Sequence, residues 1–219
     1  VLAGNAARAD ELGGAGAVAE PPAAPVASDA HDPAEPSAAP LPVDDVRSNK
    51  VHWAPPVLHA TALFTVMRIS EAFLWPEPFA RTDPSFWAAR YKEAYTRPPK
   101  FEASRPFMQW DGDPWPVNVI GHGLLGSELH LRARRCGFGV LGSLAFATGA
   151  SAVWEYVFEA NGVRPSALDL VYTPLAGLVL GEARFALLGL ARGDSARERV
   201  FRAVLDPFGE AERALGTPC

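Results

Sequence analysis

The chain has 219 residues, 48% hydrophobic and 21% charged, which suits one domain with its own core plus a tail and excludes wholesale disorder. Its net charge of −5 lies entirely in residues 1–50, where eight acidic side chains outnumber three basic ones, and the rest of the chain carries 17 of each sign. A balanced domain lacks the basic surplus that phosphate contacts need, so no nucleic-acid partner is expected.

Residues 1–50 are expected to be a disordered Ala/Pro-rich arm. Positions 10–50 hold no aromatic residue, and Pro21, Pro22, Pro25, Pro33, Pro36, Pro40 and Pro42 recur among alanines, too little apolar surface to offset chain entropy. Ahead of the spacer, Ala7-Arg8-Ala9 fits a signal-peptidase site, with Val1, Leu2 and Ala3 as the remnant of an apolar segment, which predicts an exported protein.

From His52 the composition changes, and all six tryptophans lie beyond it, so a domain is assigned to residues 51–219. Val57 to Trp75 has a loose helical period ended by Pro76 and Pro78. Asp83-Pro84 supplies an N-cap and first residue for a helix to about Tyr95. Residues 96–116 hold five prolines and four large aromatics, the pattern of a loop wrapped over a core. Three longer helices follow, Val117 to Arg135, Phe138 to Ala160 and Leu168 to Arg192, separated by Cys136-Gly137 and by Asn161-Gly162 with Pro165. Pro174 should kink the third, and Ser166 with Asp169 has capping-box spacing at its start. Asp194 or Ser195 opens a charged helix to Leu205, and Asp206-Pro207 a last short one. No strand pattern is present, and the predicted class is all-α, a compact bundle of three central Gly/Ala-rich helices with shorter flanking helices. Cys136 and Cys219 make neither a disulfide framework nor a zinc knuckle.

Cys136 to Trp154 is 19 residues without a charge, close to the roughly 20 of a bilayer span. Its glycines, alanines and hydroxyls lower its hydrophobicity, and Leu170 to Gly181 is uncharged for only 12 residues. These lengths predict a membrane-associated domain rather than a polytopic one, with membrane lipid or another envelope protein as partner. Were Cys136 to Trp154 to span, Arg132, Arg134 and Arg135 would mark its cytoplasmic end.

Spacing of four places side chains on one slowly drifting row of a helix. The first helix aligns Asn118, His122, Gly126 and His130; the second Ser143, Ala147, Ser151, Glu155 and Glu159; the third Asp169, Thr173, Gly177 and Gly181. Glycine costs roughly 1 kcal/mol of helix propensity relative to Ala, so this clustering points to close helix packing. Where the rows leave small residues they become His122, Glu155 and Asp169, and tight packing should bring these together at one end.

The same residues resemble the domain of unknown function 3943 family of bacterial envelope-type proteins, over roughly Phe107 to Thr217. Trp110-Asp111-Gly112-Asp113 with Asn118, His122, Gly126 and Ser127 resembles its W-D-x-D…N…H…G-S segment, continued by Ala133-Arg134 and Gly137. Ser151, Trp154-Glu155 and Glu159 resemble its S-x-x-W-E-x-x-x-E segment. Pro165-Ser166, Asp169, Thr173, Gly177 and Gly181-Glu182 resemble P-S-x-x-D…T…G…G-E, and Arg199 with Asp206-Pro207-Phe208-Gly209 falls at the C-terminal end. Gly123 departs from the proline usual after the histidine. The resemblance implies a cell-envelope location and no established activity.

Three functions are open. The first is a non-catalytic envelope protein whose buried His122, Glu155 and Asp169 form a hydrogen-bonded network fixing helix register. The second is a hydrolase-like enzyme on a lipid or envelope substrate, with His122 as catalytic base oriented by Glu155 and Asp169; it requires an open cleft. The third is divalent-metal binding, with His122, Glu155, Glu159, Asp111 and Asp113 as candidate ligands, Glu155 and Glu159 sharing one face at i, i+4. Asp111-Gly112-Asp113 is no calcium loop, since His122 stands where the twelfth-position Glu belongs, and the pair is expected to cap the helix starting near Val117. Asn118, Gly126, Ser151, Trp154, Thr173, Gly177 and Gly181 are expected to pack the core, and Glu182 to pair with Arg134 or Arg184.

Overall fold

The computed structural model describes residues 50–191, 193–216 and 219, so the residues of the expected N-terminal arm lie outside it up to 49. The described residues are helical without a strand, apart from one isolated bridge between Lys100 and Ser166. In chain order they form α1 (Ala54–Leu74), the single turn α2 (Pro76–Phe79), α3 (Pro84–Thr96), α4 (His122–Arg135), α5 (Val140–Val153), α6 (Ala167–Ala176), α7 (Glu182–Leu188), α8 (Ala196–Leu205) and α9 (Pro207–Ala214). Asp83 caps α3 by accepting from Phe86 N–H, and Ser195 with Glu198 closes a full capping box on α8.

Three π-turns adjoin the central helices: Pro116–Gly121 before α4, Trp154–Phe158 after α5 and Gly177–Gly181 between α6 and α7. In each the backbone N–H reaches five residues back, as Glu159 N–H does to Trp154 O at 2.9 Å. The third follows Pro174, whose missing N–H loosens the preceding turn, so the expected kink is realised as a widened turn rather than a break.

The central helix is α4. Eleven of its 14 residues are buried, and it packs on α5, α6 and the turn after α6. Contact with α6 is at backbone distance: a Cβ on Gly126 would overlap the Thr173 carbonyl oxygen, and one on Gly177 would lie 2.5 Å from Gly126 O. A Cβ on Gly181 would come within 2.9 Å of the His130 ring. The glycine rows are therefore a packing seam, and Ser143, Ala147 and Ser151 line the buried side of α5.

Polarity is inverted around this axis. No ionisable side chain on α1, α4, α5 or α6–α7 falls in the exposed class, whereas the peripheral α3 and α8 expose Lys92, Arg197 and Arg199. On α1 only three of 21 residues are buried, yet its ionisable residues all face inward: His59 meets Glu212, Arg68 donates to Phe79 O and Phe158 O, and Glu71 is partly buried. Its exposed positions include Leu58, Val66, Ile69, Phe73 and Leu74; those of α5–α7 include Leu141, Val153, Val171, Leu175 and Val179.

Cys136 and Cys219 are joined by a disulfide, with Cα atoms 4.9 Å apart. This corrects the expectation from two widely spaced cysteines: α4 ends at Cys136, and the chain returns from α9 to that end.

Candidate functional site

The site lies where the N-terminal end of α4 meets the C-terminal end of α5 and the start of α6. Ser166 caps α6, its Oγ accepting from Asp169 N–H at 3.1 Å. The capping box is not closed by Asp169, however. The Ser166 N–H goes to Glu155 Oε2 at 2.7 Å, so a carboxylate from α5's terminal turn does what a residue of α6 itself was expected to do. Asp169 is thereby released to face His122, whose Nε2 lies 3.6 Å from its Oδ2. His122 Nδ1 is 3.1 Å from Thr173 Oγ1, and Ser151 donates its hydroxyl to the Asp169 carbonyl at 3.2 Å. The ring is held on one side by α6 and turned to the acids on the other.

Asp111 closes the site from the loop. Its Oδ1 accepts from Asn118 Nδ2 at 2.8 Å and from Asp113 N–H at 3.1 Å, and its Oδ2 from Ser166 Oγ at 2.7 Å. Burial opposes its ionisation, but these hydrogen bonds outweigh it and hold the carboxyl below its usual range. Burial and the neighbouring Asp111 charge push Asp113 up. Neither aspartate caps the helix, whose first turn has no side-chain cap; Asp111 instead ties Asn118 to Ser166, a correction that follows from the loop folding back over α6.

The predicted residues therefore meet. His122, Glu155 and Asp169 place one ligand-type atom each within 4.8 Å of one another, as do Asp111, Asp113 and Asp169. Glu159 belongs to neither group, although it lies within electrostatic reach of Glu155. The triad is closed to water: His122 is 7% exposed, Glu155 and Asp169 1% each. Four acidic neighbours, Glu71, Asp111, Asp113 and Asp169, lie within electrostatic reach of Glu155 or Glu159, while no Lys or Arg forms an ion pair with Asp111, Glu155, Glu159 or Asp169 among the described residues. Glu155 Oε1, Asp169 Oδ1 and Asn118 Oδ1 are buried acceptors without a donor.

Residues 107–208 match the domain of unknown function DUF3943. The chain carries this family's domain over that stretch, a little under half of its length. The match starts where the sequence resemblance does and ends at Phe208, so it contains every residue of the triad and both loop aspartates. No curated protein and no solved structure matches the chain.

Sequence reasoning missed Ser166 as the hub joining Asp111, Glu155 and Asp169, and Glu71 on α1. It also missed a second buried polar cluster, at the other end of α4. There Arg132 pairs with Glu128, Asp206 and Glu212, Arg184 with Glu128, and His59 with Glu128 and Glu212. Glu182 pairs with Arg134, as one of the two expected partners, and with His130, each at 2.7 Å. The i, i+4 pair Glu128–Arg132 was the available signal, and buried long side chains on a glycine-seamed helix are its context.

Proposed function

We propose that this DUF3943 protein is an exported, membrane-embedded protein of the cell envelope, whose apolar helices face lipid and enclose the polar cluster around α4. The single observation that carries it is the inverted polarity: in water a helix as charged as α4 would be mostly exposed, and here 11 of its 14 residues are buried while α1, α5 and α6–α7 turn only uncharged side chains outward. Two helical stretches, Ala54–Leu74 and Ala167–Leu188, are long and apolar enough to cross a membrane by length and composition. Trp53 and Trp75 flank the first at its two ends, the spacing of an interfacial aromatic pair. Between α1 and α5 opens a cleft of about 520 Å³ lined by Trp53, Val57, Phe64, Phe146 and Val153, a surface suited to an acyl chain.

The Cys136–Cys219 disulfide supports export, because such bonds persist in oxidising compartments. It also bears on orientation. Arg132, Arg134 and Arg135 would mark a cytoplasmic end if they were free loop charges, but each is paired with a carboxylate of the bundle, and the disulfide at the same end favours the oxidising side. The hydrolase alternative loses support from the burial of His122 and Glu155, since catalysis by water activation needs both open to solvent.

The test is fractionation of cells expressing the full chain. The protein is expected in the membrane pellet after alkaline carbonate and in the soluble fraction only after detergent. Val179→Glu, on the outward face, should reduce membrane recovery, because a carboxylate facing hydrocarbon is costly. Recovery of the parent in the soluble fraction without detergent overturns the proposal.

A further inference from the structure

We propose that His122, Glu155 and Asp169 bind one divalent transition-metal cation, which joins the start of α4, the turn after α5 and α6 inside the domain. The three residues come from three separate helical segments, yet their ligand-type atoms converge within 4.8 Å. Ligands about 2.1 Å from a tetrahedral ion stand about 3.4 Å from one another, so atoms that lie within 4.8 Å close on a cation by side-chain shifts of up to about 1 Å. Convergence of acids alone would say little. The second observation is the state of their free atoms: Glu155 Oε1 and Asp169 Oδ1 accept from nothing, on side chains 1% exposed. A buried carboxylate oxygen without a donor carries a desolvation penalty. A cation between Glu155 and Asp169 would satisfy both.

The donor set selects the ion. One imidazole nitrogen with carboxylate oxygens suits Zn²⁺ or Mn²⁺ and disfavours Ca²⁺ and Mg²⁺, which prefer all-oxygen shells. His122 is prepared for it: with Nδ1 engaged by Thr173 Oγ1, the Nε2 lone pair is the one left facing Asp169. The neighbouring group of Asp111, Asp113 and Asp169 is the poorer candidate, because both Asp111 oxygens already accept from Asn118, Asp113 and Ser166. In that arrangement Asp111 is a positioning residue, holding Ser166 and through it the Glu155 carboxylate.

The experiment uses the full chain, purified in detergent, stripped with EDTA and desalted. Zn²⁺, Mn²⁺, Mg²⁺ and Ca²⁺ are added separately, and retained metal is measured by elemental analysis beside the melting temperature. The expected result is about one equivalent of Zn²⁺ or Mn²⁺ and a rise of roughly 5–10 °C at a hundredfold excess over Kd, with Mg²⁺ and Ca²⁺ far weaker. Asp169→Asn and His122→Gln should each lower affinity at least tenfold, and Asp113→Asn should leave it unchanged. Absence of retained metal and of any shift in the parent with all four ions overturns the site, as does parent-like affinity in Asp169→Asn. Should that variant not fold, the stoichiometry of the parent decides. The outcome is separable from the membrane proposal: a chain that pellets with membranes but binds no ion sinks only the metal site, and a soluble chain holding one ion sinks only the membrane location.

Discussion

The two ends of α4 solve the same problem differently. At the Arg132 end, charge is buried in matched pairs: Arg132, Arg134, Arg135 and Arg184 meet Glu128, Glu182, Asp206 and Glu212, with His59 and His130 bridging. At the His122 end, carboxylates gather around one imidazole, and among the described residues no arginine or lysine forms an ion pair with Asp111, Glu155 or Asp169. Burial of a charge is tolerable when its partner is buried with it, and severe when it is not. The paired end balances its charges within the protein and acts as an internal clamp between α1, α4, α7 and α9. The unpaired end is incomplete as protein alone, which is why a bound cation is inferred there and not at the other.

The seam midway between the ends decides whether either can form. Gly126→Leu should produce the largest effect of all, loss of cooperative folding, because the new side chain meets the Thr173 backbone carbonyl, which cannot rotate away as a side chain would. A total stability of 5–15 kcal/mol would not absorb that overlap. Recovery of a normal melt in this variant would mean that α4 and α6 are not in backbone contact, and both clusters would dissolve with the seam. Arg132→Ala comes next. It takes one cation from buried Glu128 and Asp206 and half-buried Glu212, which keep Arg184, Arg135 and His59, and should cost about 3 kcal/mol, read as a fall of roughly 10 °C in melting temperature. A loss under about 1 kcal/mol would show that the paired end is not a clamp.

Much of this was legible in the sequence because it rests on spacing. Rows four apart put Asn118, His122, Gly126 and His130 on one buried side of α4, and the glycines that violate helix propensity sit at the contact that requires them. Asp169, Glu155 and His122 were found for the same reason. What could not be read was anything made by a loop or a widened turn. The return of 100–118 over α6 gives Asp111 its bond to Ser166, and no local pattern encodes that pairing. The widened turn after Val153 is likewise unmarked in the sequence, whose spacing there fits an ordinary helix. The inverted polarity was also hidden, since uncharged residues at every outward position of α1 look the same in sequence as a loosely periodic core helix; only the direction of His59, Arg68 and Glu71 distinguishes them. The paired cluster draws Asp206 and Glu212 from helices that read as exposed amphipathic ones.

Two smaller effects separate the unpaired end from the paired one. In metal-stripped protein, Asp169→Asn should be neutral or stabilising, within about 1 kcal/mol of the parent, because it replaces a buried carboxyl that has no arginine or lysine partner by an uncharged amide of the same shape, unlike Arg132→Ala. A loss of several kcal/mol without metal would mean that the carboxylate is satisfied within the protein. The smallest effect is expected at Asp113, whose carboxyl is pushed up by burial and by Asp111 from an ordinary value of 3.8. The folded form holds this proton more tightly than the unfolded chain, so the charge opposes folding fully above the raised value and not at all below 3.8. Asp113→Asn should therefore raise stability slightly at pH 7, by about 0.5 kcal/mol or less, and the gain should fade as pH falls toward the ordinary aspartate range. A variant more stable than the parent at pH 7, with melting curves that converge on acidification, fits this sign; a variant less stable at pH 7 would mean that Lys100 and Arg105 outweigh burial and Asp111 there.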